Sequence, residues 1–64
     1  MFKELDVVRL KASDAETGVS TQDVGTIVLV LSDGVYMVEF MDADQTTNEA
    51  ALDKAYYESE LDPA

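Results

Sequence analysis

The stretch that decides the fold reads Thr26-Ile27-Val28-Leu29-Val30-Leu31-Ser32-Asp33-Gly34-Val35-Tyr36-Met37-Val38-Glu39-Phe40. Residues 26–31 are rich in β-branched side chains, which favour a strand over a helix. Their apolar side chains fall on both faces, which predicts burial on both sides or curvature round a barrel. Asp33-Gly34 indicates a hairpin turn, because this pair readily adopts positive φ angles. Apolar residues then alternate along 35–40 and place Tyr36, Val38 and Phe40 on a predicted core face.

The chain before this hairpin reads as one strand and one long polar loop. Leu5-Asp6-Val7-Val8-Arg9-Leu10 is the strand, with Val8 and Leu10 as its predicted core residues. Residues 11–23 are rich in Ser, Thr and Asp and form the loop. Within it we expect Gly18 to take a positive φ, and Val19 to fold back over the end of the core.

The chain after the hairpin has two interpretations. Residues 46–52 can continue as a fourth strand, or Asn48 can cap a short helix from Glu49 to about Tyr57. Residues 58–64 suit a single 3-10 turn that places Leu61 in the core, after which Pro63 ends regular structure. The sequence as a whole predicts one domain over residues 1–64, mainly β, with a five-stranded barrel as its architecture.

Composition limits the chemistry that this chain can perform. It has 64 residues and contains neither cysteine nor histidine. Disulfides, thiolate nucleophiles, imidazole bases and cysteine-ligated zinc are therefore excluded. Its three glycines are isolated, so no glycine-rich loop is present to hold a phosphate. We expect no enzyme activity, no cofactor and no metal site.

Charge is the most unusual property of the sequence. The chain carries 14 acids against 4 bases, and residues 12–64 hold twelve acids against Lys54 alone, a net charge of −11. Such a surface repels nucleic acid phosphates and attracts basic surfaces. We therefore expect a protein partner with a basic surface and no direct binding of nucleic acid. No apolar run is long enough for a signal peptide or a membrane span, so we expect a cytoplasmic protein. The oligomeric state stays open.

Two adjacent tyrosines stand within the acidic C-terminal part. In a strand or a turn, Tyr56 and Tyr57 point in different directions, so one can pack in the core while the other stays exposed. An exposed tyrosine with an acidic rim is typical of a protein interface, whereas two buried ones would only cover the end of the barrel. The predicted partner-binding residues are Asp42, Asp44, Glu49, Asp53, Tyr56, Tyr57, Glu58 and Glu60.

Several segments, in this order, resemble a known family. They are residues 5–10, Gly18-Val19, Asp23-Val24-Gly25-Thr26-Ile27-Val28, residues 33–40 and Glu60-Leu61. Together they resemble the small bacterial family called domain of unknown function 4926. The resemblance implies an SH3-like five-stranded barrel with a long first loop and a short 3-10 or helical turn near the C-terminus. It implies no activity and no catalytic residue. Gln45 and the alanine-rich stretch 46–57 depart from the pattern of the family.

These observations lead to three hypotheses about function. The first is a non-enzymatic acidic protein-binding module, of an antitoxin-like, immunity or inhibitor kind, whose association weakens as salt rises. The second is a DNA mimic of the phage anti-defence or anti-CRISPR type, which requires carboxylates at phosphate-like spacing and competition with DNA. The third is an accessory or structural subunit, which a flat apolar patch around Val7, Val35 or Met37 would favour.

Overall fold

The fold is mainly β. The computed structural model describes residues 1–42 and 44–64. The strands are β1 (Val7–Leu10), β2 (Gly25–Ser32), β3 (Val35–Phe40), β4 (Ala55–Tyr57) and β5 (Leu61–Pro63). A four-residue helix, α1 (Glu49–Leu52), precedes β4, and a 3-10 turn, Glu58–Glu60, joins β4 to β5.

The five strands form one antiparallel sheet in the order β4-β3-β2-β1-β5. The first strand therefore lies beside the last, with Leu10 opposite Leu61 and Val8 opposite Pro63. In the part of the chain that the structure describes, no pairing joins β4 to β5. The sheet is thus open, where the sequence predicted a closed or nearly closed five-stranded barrel. None of the described helices is long and apolar enough to cross a membrane.

The core lies on one face of this sheet. Strict alternation along β3 buries Tyr36, Val38 and Phe40, as predicted. The expectations for the other core positions are also confirmed. The remaining buried hydrophobic residues are Val8, Leu10, Val19, Ile27, Ala51, Tyr56 and Leu61.

Two glycines take the positive φ angles that the turns need. Gly18 has φ of 80° in the first loop, where Asp14 and Val19 form an isolated β-bridge that turns Val19 inward. Gly34 has φ of 74° in the β2–β3 turn. Both conformations are accessible to glycine at little steric cost.

Residues 46–57 combine parts of both interpretations. The Asn48 Oδ1 accepts a hydrogen bond from the Ala51 backbone N–H at 3.1 Å, so Asn48 is the helix cap, as one interpretation predicted. The helix ends at Leu52, however, and not near Tyr57. Residues 55–57 pair with β3 instead, because a helix this short gains less from its own hydrogen bonds than the chain gains from extending the sheet.

Burial on both faces, one of the two alternatives for strand 26–31, is wrong for residues 28–31. Residues 28–31 have exposed fractions between 37% and 48%. One reason is coverage, since β1 pairs only with Thr26 and Gly25 at the beginning of β2. The other reason is local geometry, since register shifts between Ile27 and Leu29 and between Val30 and Ser32 interrupt the alternation of faces.

Candidate partner-binding surface

The side chains of the tyrosine pair lie on opposite faces of β4. Tyr56 is 1% exposed and lies in the core, whereas Tyr57 is 56% exposed. This confirms that one tyrosine of the pair packs inward while the other meets solvent. Tyr56, named in the sequence analysis as a partner-binding residue, is therefore part of the interior. Tyr57 lies opposite Val35 across the β3–β4 ladder.

The 3-10 turn after β4 holds Tyr57 in place. The Tyr57 backbone N–H donates to Glu60 Oε1 at 2.9 Å, and the Glu58 N–H donates to the Gly34 carbonyl at 2.8 Å. One of these bonds closes the 3-10 turn, and the other joins the turn to the β2–β3 hairpin. An aromatic side chain on such a fixed backbone loses little conformational entropy when a partner covers it.

Glu58 makes internal contacts as well as meeting solvent. Its Oε1 accepts a hydrogen bond from the Tyr36 hydroxyl at 2.5 Å, and its Oε2 lies 3.9 Å from the N-terminal ammonium group. The hydrogen bond to this carboxylate, together with burial, raises the pKa of Tyr36. The Glu58 carboxylate is therefore already engaged in contacts within the chain.

Of the other predicted acids, Asp42 and Asp44 lie on the turn after β3, Glu49 begins α1, and Asp53 directly follows it. Asp42, Asp44, Glu49 and Asp53 are all exposed. Asp44 Oδ1 accepts hydrogen bonds from the Thr46 N–H at 3.2 Å and the Thr46 hydroxyl at 2.7 Å, and these bonds lower the pKa of Asp44. The predicted residues therefore occupy two segments. One is the 41–53 segment, and the other is residues 56–60, which belong to β4 and the 3-10 turn.

An apolar strip, formed by Leu29, Val35 and Met37 with Tyr57 beside Val35, lies on the face of the sheet opposite the core. Leu29 lies opposite Met37, and Val35 lies opposite Tyr57, so these four side chains share that face. Leu29 is 43% exposed, and Val35 and Met37 are half-buried. Val7 on β1 is 44% exposed. The sequence had named Val7, Val35 and Met37 for such a patch, as a feature that would favour an accessory or structural subunit, and the structure adds Leu29 and Tyr57.

A small cleft lies between the first loop and the C-terminal segment. It has a volume of about 280 Å³, and Leu10, Asp14, Lys54, Tyr56 and Glu60 are among its lining residues. Lys54 Nζ lies 2.6 Å from Asp14 Oδ2 and 5.6 Å from the centroid of the Tyr56 ring. Sequence reasoning did not identify this pair. Lys54 is the only base in residues 12–64, and this is the one sequence feature that could have pointed to an ion pair at this position.

We expect the Asp14–Lys54 pair to stabilise the fold over a wide but bounded pH range. The hydrogen bond from Lys54 lowers the pKa of Asp14, and the same bond raises the pKa of Lys54. The Asp14 contribution is present above its ordinary pKa of 3.8 and is lost as pH falls through the lowered value. The contribution of Lys54 to stability is fully present below its ordinary pKa of 10.5 and is lost as pH rises through its raised pKa.

Urea unfolding between pH 2 and pH 7 tests this expectation on the wild type and Asp14→Asn. The variant should be less stable at pH 7, and the difference should shrink as pH falls below about 4. Asp33→Asn, which removes an exposed acid from the hairpin turn, is the control. An equal pH dependence of stability in both variants would contradict the assignment.

Among the described residues, no group of three or more carboxylates is arranged to hold a metal ion. In the cleft Lys54 is paired with Asp14, and Tyr56 and Glu60 also line it. What the arrangement offers is an exposed tyrosine beside apolar side chains, on a strongly acidic chain.

Comparisons with known proteins identify a family without an assigned activity. A family model described as "Domain of unknown function (DUF4926)" matches residues 4–55, which is most of the chain. The match confirms the resemblance seen in the sequence. No curated protein and no solved structure matches the chain.

Proposed function

We propose that this chain, which belongs to the family described as a domain of unknown function (DUF4926), is a non-enzymatic module that binds a basic protein surface. In this proposal it acts in the cytoplasm as an antitoxin-like, immunity or inhibitor protein. The observation that supports it best is Tyr57, 56% exposed next to the apolar strip on a chain of net charge −10. Exposed aromatic anchors surrounded by charge are typical of binding surfaces.

Two parts of the surface have different roles in this proposal. The apolar strip with Tyr57 provides the contact that loses water and contributes most of the affinity. The acids of the 41–53 segment and of the 3-10 turn attract the partner over longer range and select against acidic proteins. Tyr56 supports the strand from within and does not contact the partner.

We further propose that the open sheet is a variant of an SH3-like barrel. Three observations support this: the strand order β4-β3-β2-β1-β5, the long loop between β1 and β2, and the 3-10 turn between the last two strands. In this arrangement β1 pairs with both its sequence neighbour β2 and the last strand, β5.

A DNA-mimic function has less support from the arrangement of charge. The acids are spread over the first loop, the hairpin turn, the 41–53 segment and the 3-10 turn. Asp14 is paired with Lys54, and Glu58 is partly engaged with Tyr36. A contact centred on an apolar strip is also unlike a row of phosphates. Displacement of the partner by duplex DNA would favour the mimic instead.

Affinity purification from the native host tests the proposed function. The wild-type protein should recover a basic protein at 50 mM NaCl and lose most of it at 500 mM, because salt screens the attraction between exposed charges. Tyr57→Ala should reduce recovery about tenfold or more, the effect expected of an interface anchor. Tyr57 is on the surface, so its loss should leave the stability of the fold almost unchanged.

Tyr56→Phe serves as the matched control bait, since it alters a tyrosine that the partner does not reach. It should recover as much partner as the wild type. Recovery of the same partner undiminished at 500 mM NaCl would count against an electrostatic role for the acids. Undiminished recovery with Tyr57→Ala would count against the apolar strip as the contact.

A further inference from the structure

The outer part of the β2–β3 hairpin is an apolar arm that the rest of the chain does not cover. We define the hairpin arm as residues 28–35. Within it Val28, Leu29, Val30 and Leu31 have exposed fractions of 37%, 43%, 38% and 48%. Because the register shifts of β2 interrupt the alternation, successive residues of the arm expose apolar surface instead of every second one.

The arm also leaves one edge of β2 open. On the β1 side, the last backbone contacts of β2 are Ile27 N–H to the Asp6 carbonyl and Leu5 N–H to the Ile27 carbonyl, at 2.9 and 2.8 Å. From Val28 onward, β3 is the only strand paired with β2 in the described chain. An apolar strand with an open edge is a site at which another chain can add.

The low charge of the hairpin arm favours a second copy of this chain as the partner that covers it. Residues 24–38 contain one charged residue, Asp33, in a chain of net charge −10. Acids attract a basic partner most strongly where they are dense, and within residues 28–35 only Asp33 is charged. Two copies of a strongly acidic chain, in contrast, can approach closely only where their charge is low. The arm also lacks the lysine or proline residues that guard an exposed strand edge in a monomer.

The apolar surface of the arm is also complementary to itself, which again favours a second copy of this chain. If two arms run antiparallel about a twofold axis, the apolar residues of one arm meet the apolar residues of the other. Leu5, beside the open edge, is 78% exposed and has φ of 73°, a left-handed conformation that a leucine rarely adopts. A second arm would cover this side chain as well.

We propose that the protein forms a homodimer through its hairpin arms, packed antiparallel about a twofold axis. This inference does not rest on the proposed function, although Leu29 and Val35 belong to both the hairpin arm and the apolar strip, so a second copy and a basic partner would compete for part of the same surface. The two interactions respond to salt in opposite directions. Dimerisation of two acidic chains should strengthen as salt screens their repulsion, whereas binding to a basic partner should weaken.

Sedimentation equilibrium of the purified protein at 0.05, 0.15 and 1 M NaCl tests the proposal. The wild type should dimerise, with a dissociation constant that falls as salt rises. Leu31→Lys should raise that constant at least tenfold, since it places a charge in an apolar contact once in each copy. Met41→Lys is the matched control, because Met41 is 52% exposed, lies outside the arm and undergoes the same change of charge.

Crosslinking provides a second readout that does not depend on the effect of an added charge. The chain has no cysteine, so Val30→Cys and Met41→Cys each introduce a single thiol. We place the twofold axis near Val30, in the middle of residues 28–32. Under mild oxidation Val30→Cys should then crosslink far more than Met41→Cys, because a residue on the axis of an antiparallel pair lies opposite its own copy, within disulfide distance. A monomer at all three salt concentrations, equal weakening by the two lysine variants or equal crosslinking by the two cysteine variants would each overturn the proposal.

Discussion

Replacing Tyr56 with alanine is expected to lower the free energy of unfolding by about 3 to 5 kcal/mol, the usual cost of removing a buried aromatic ring. Tyr56 is 1% exposed, and its ring meets that of Phe40 edge to face with centroids 5.8 Å apart. A domain of this size has a total stability of roughly 3 to 10 kcal/mol, so much of the variant should be unfolded at 25 °C. Circular dichroism and urea titration measure both effects.

Tyr56→Phe separates the ring from its hydroxyl group. The hydroxyl is buried and has no hydrogen-bond partner among the described residues. Removing it should leave stability unchanged or raise it by about 1 kcal/mol. Burial raises the pKa of Tyr56, and Thr17 lowers it by a smaller amount. A loss of more than about 1 kcal/mol would therefore indicate that Thr17 does form a hydrogen bond with the hydroxyl.

Gly25→Ala is expected to be the second most damaging change, at about 1 to 3 kcal/mol or more. Gly25 begins β2 opposite Phe40. A Cβ at this position would lie 2.7 Å from both Phe40 Cε1 and Val38 Cγ1, which belong to the core. Neither side chain can move without disturbing its neighbours, because interiors are close-packed. Urea titration compares the variant with the wild type.

Gly18→Ala is the control for this prediction, because it changes the other property of glycine. No atom lies within 4 Å of a Cβ at Gly18, but φ is 80°. Its cost is conformational and should be about 1 to 2 kcal/mol. Gly25→Ala should therefore lose more stability, and it should also perturb the near-ultraviolet spectrum of the tyrosines. A larger loss at Gly18 would show that the first loop, and not the core, limits stability.

The sequence predicts those elements whose signal is local. Alternation in β3 is sufficient to identify its core face, and Asn48 caps a helix because its side chain and the N–H of Ala51 are only three residues apart. The length of that helix was not predictable in the same way. It ends at Leu52 because residues 55–57 pair with β3, and this pairing depends on the position of a strand about twenty residues earlier.

The errors at β2 and at the cleft have a common origin in long-range contacts. Residues 28–31 look buried in sequence, yet they are exposed because β1 is only four residues long and ends its pairing at Thr26. The Asp14–Lys54 ion pair joins residues 40 positions apart, and no pattern in the sequence connects them. For the tyrosine pair, alternation predicts that one is exposed, but only the register of β4 against β3 identifies Tyr57.

The pairing of β1 with β5 has a consequence for the order in which the domain folds. The β2–β3 hairpin joins residues close in sequence, so its contacts can form early. β1 and β5 pair residues more than fifty positions apart, and closing so long a loop is slower. Until that pairing forms, the chain carries an incomplete sheet with an additional unpaired strand edge, and it is in this interval that we expect it to be most prone to aggregate.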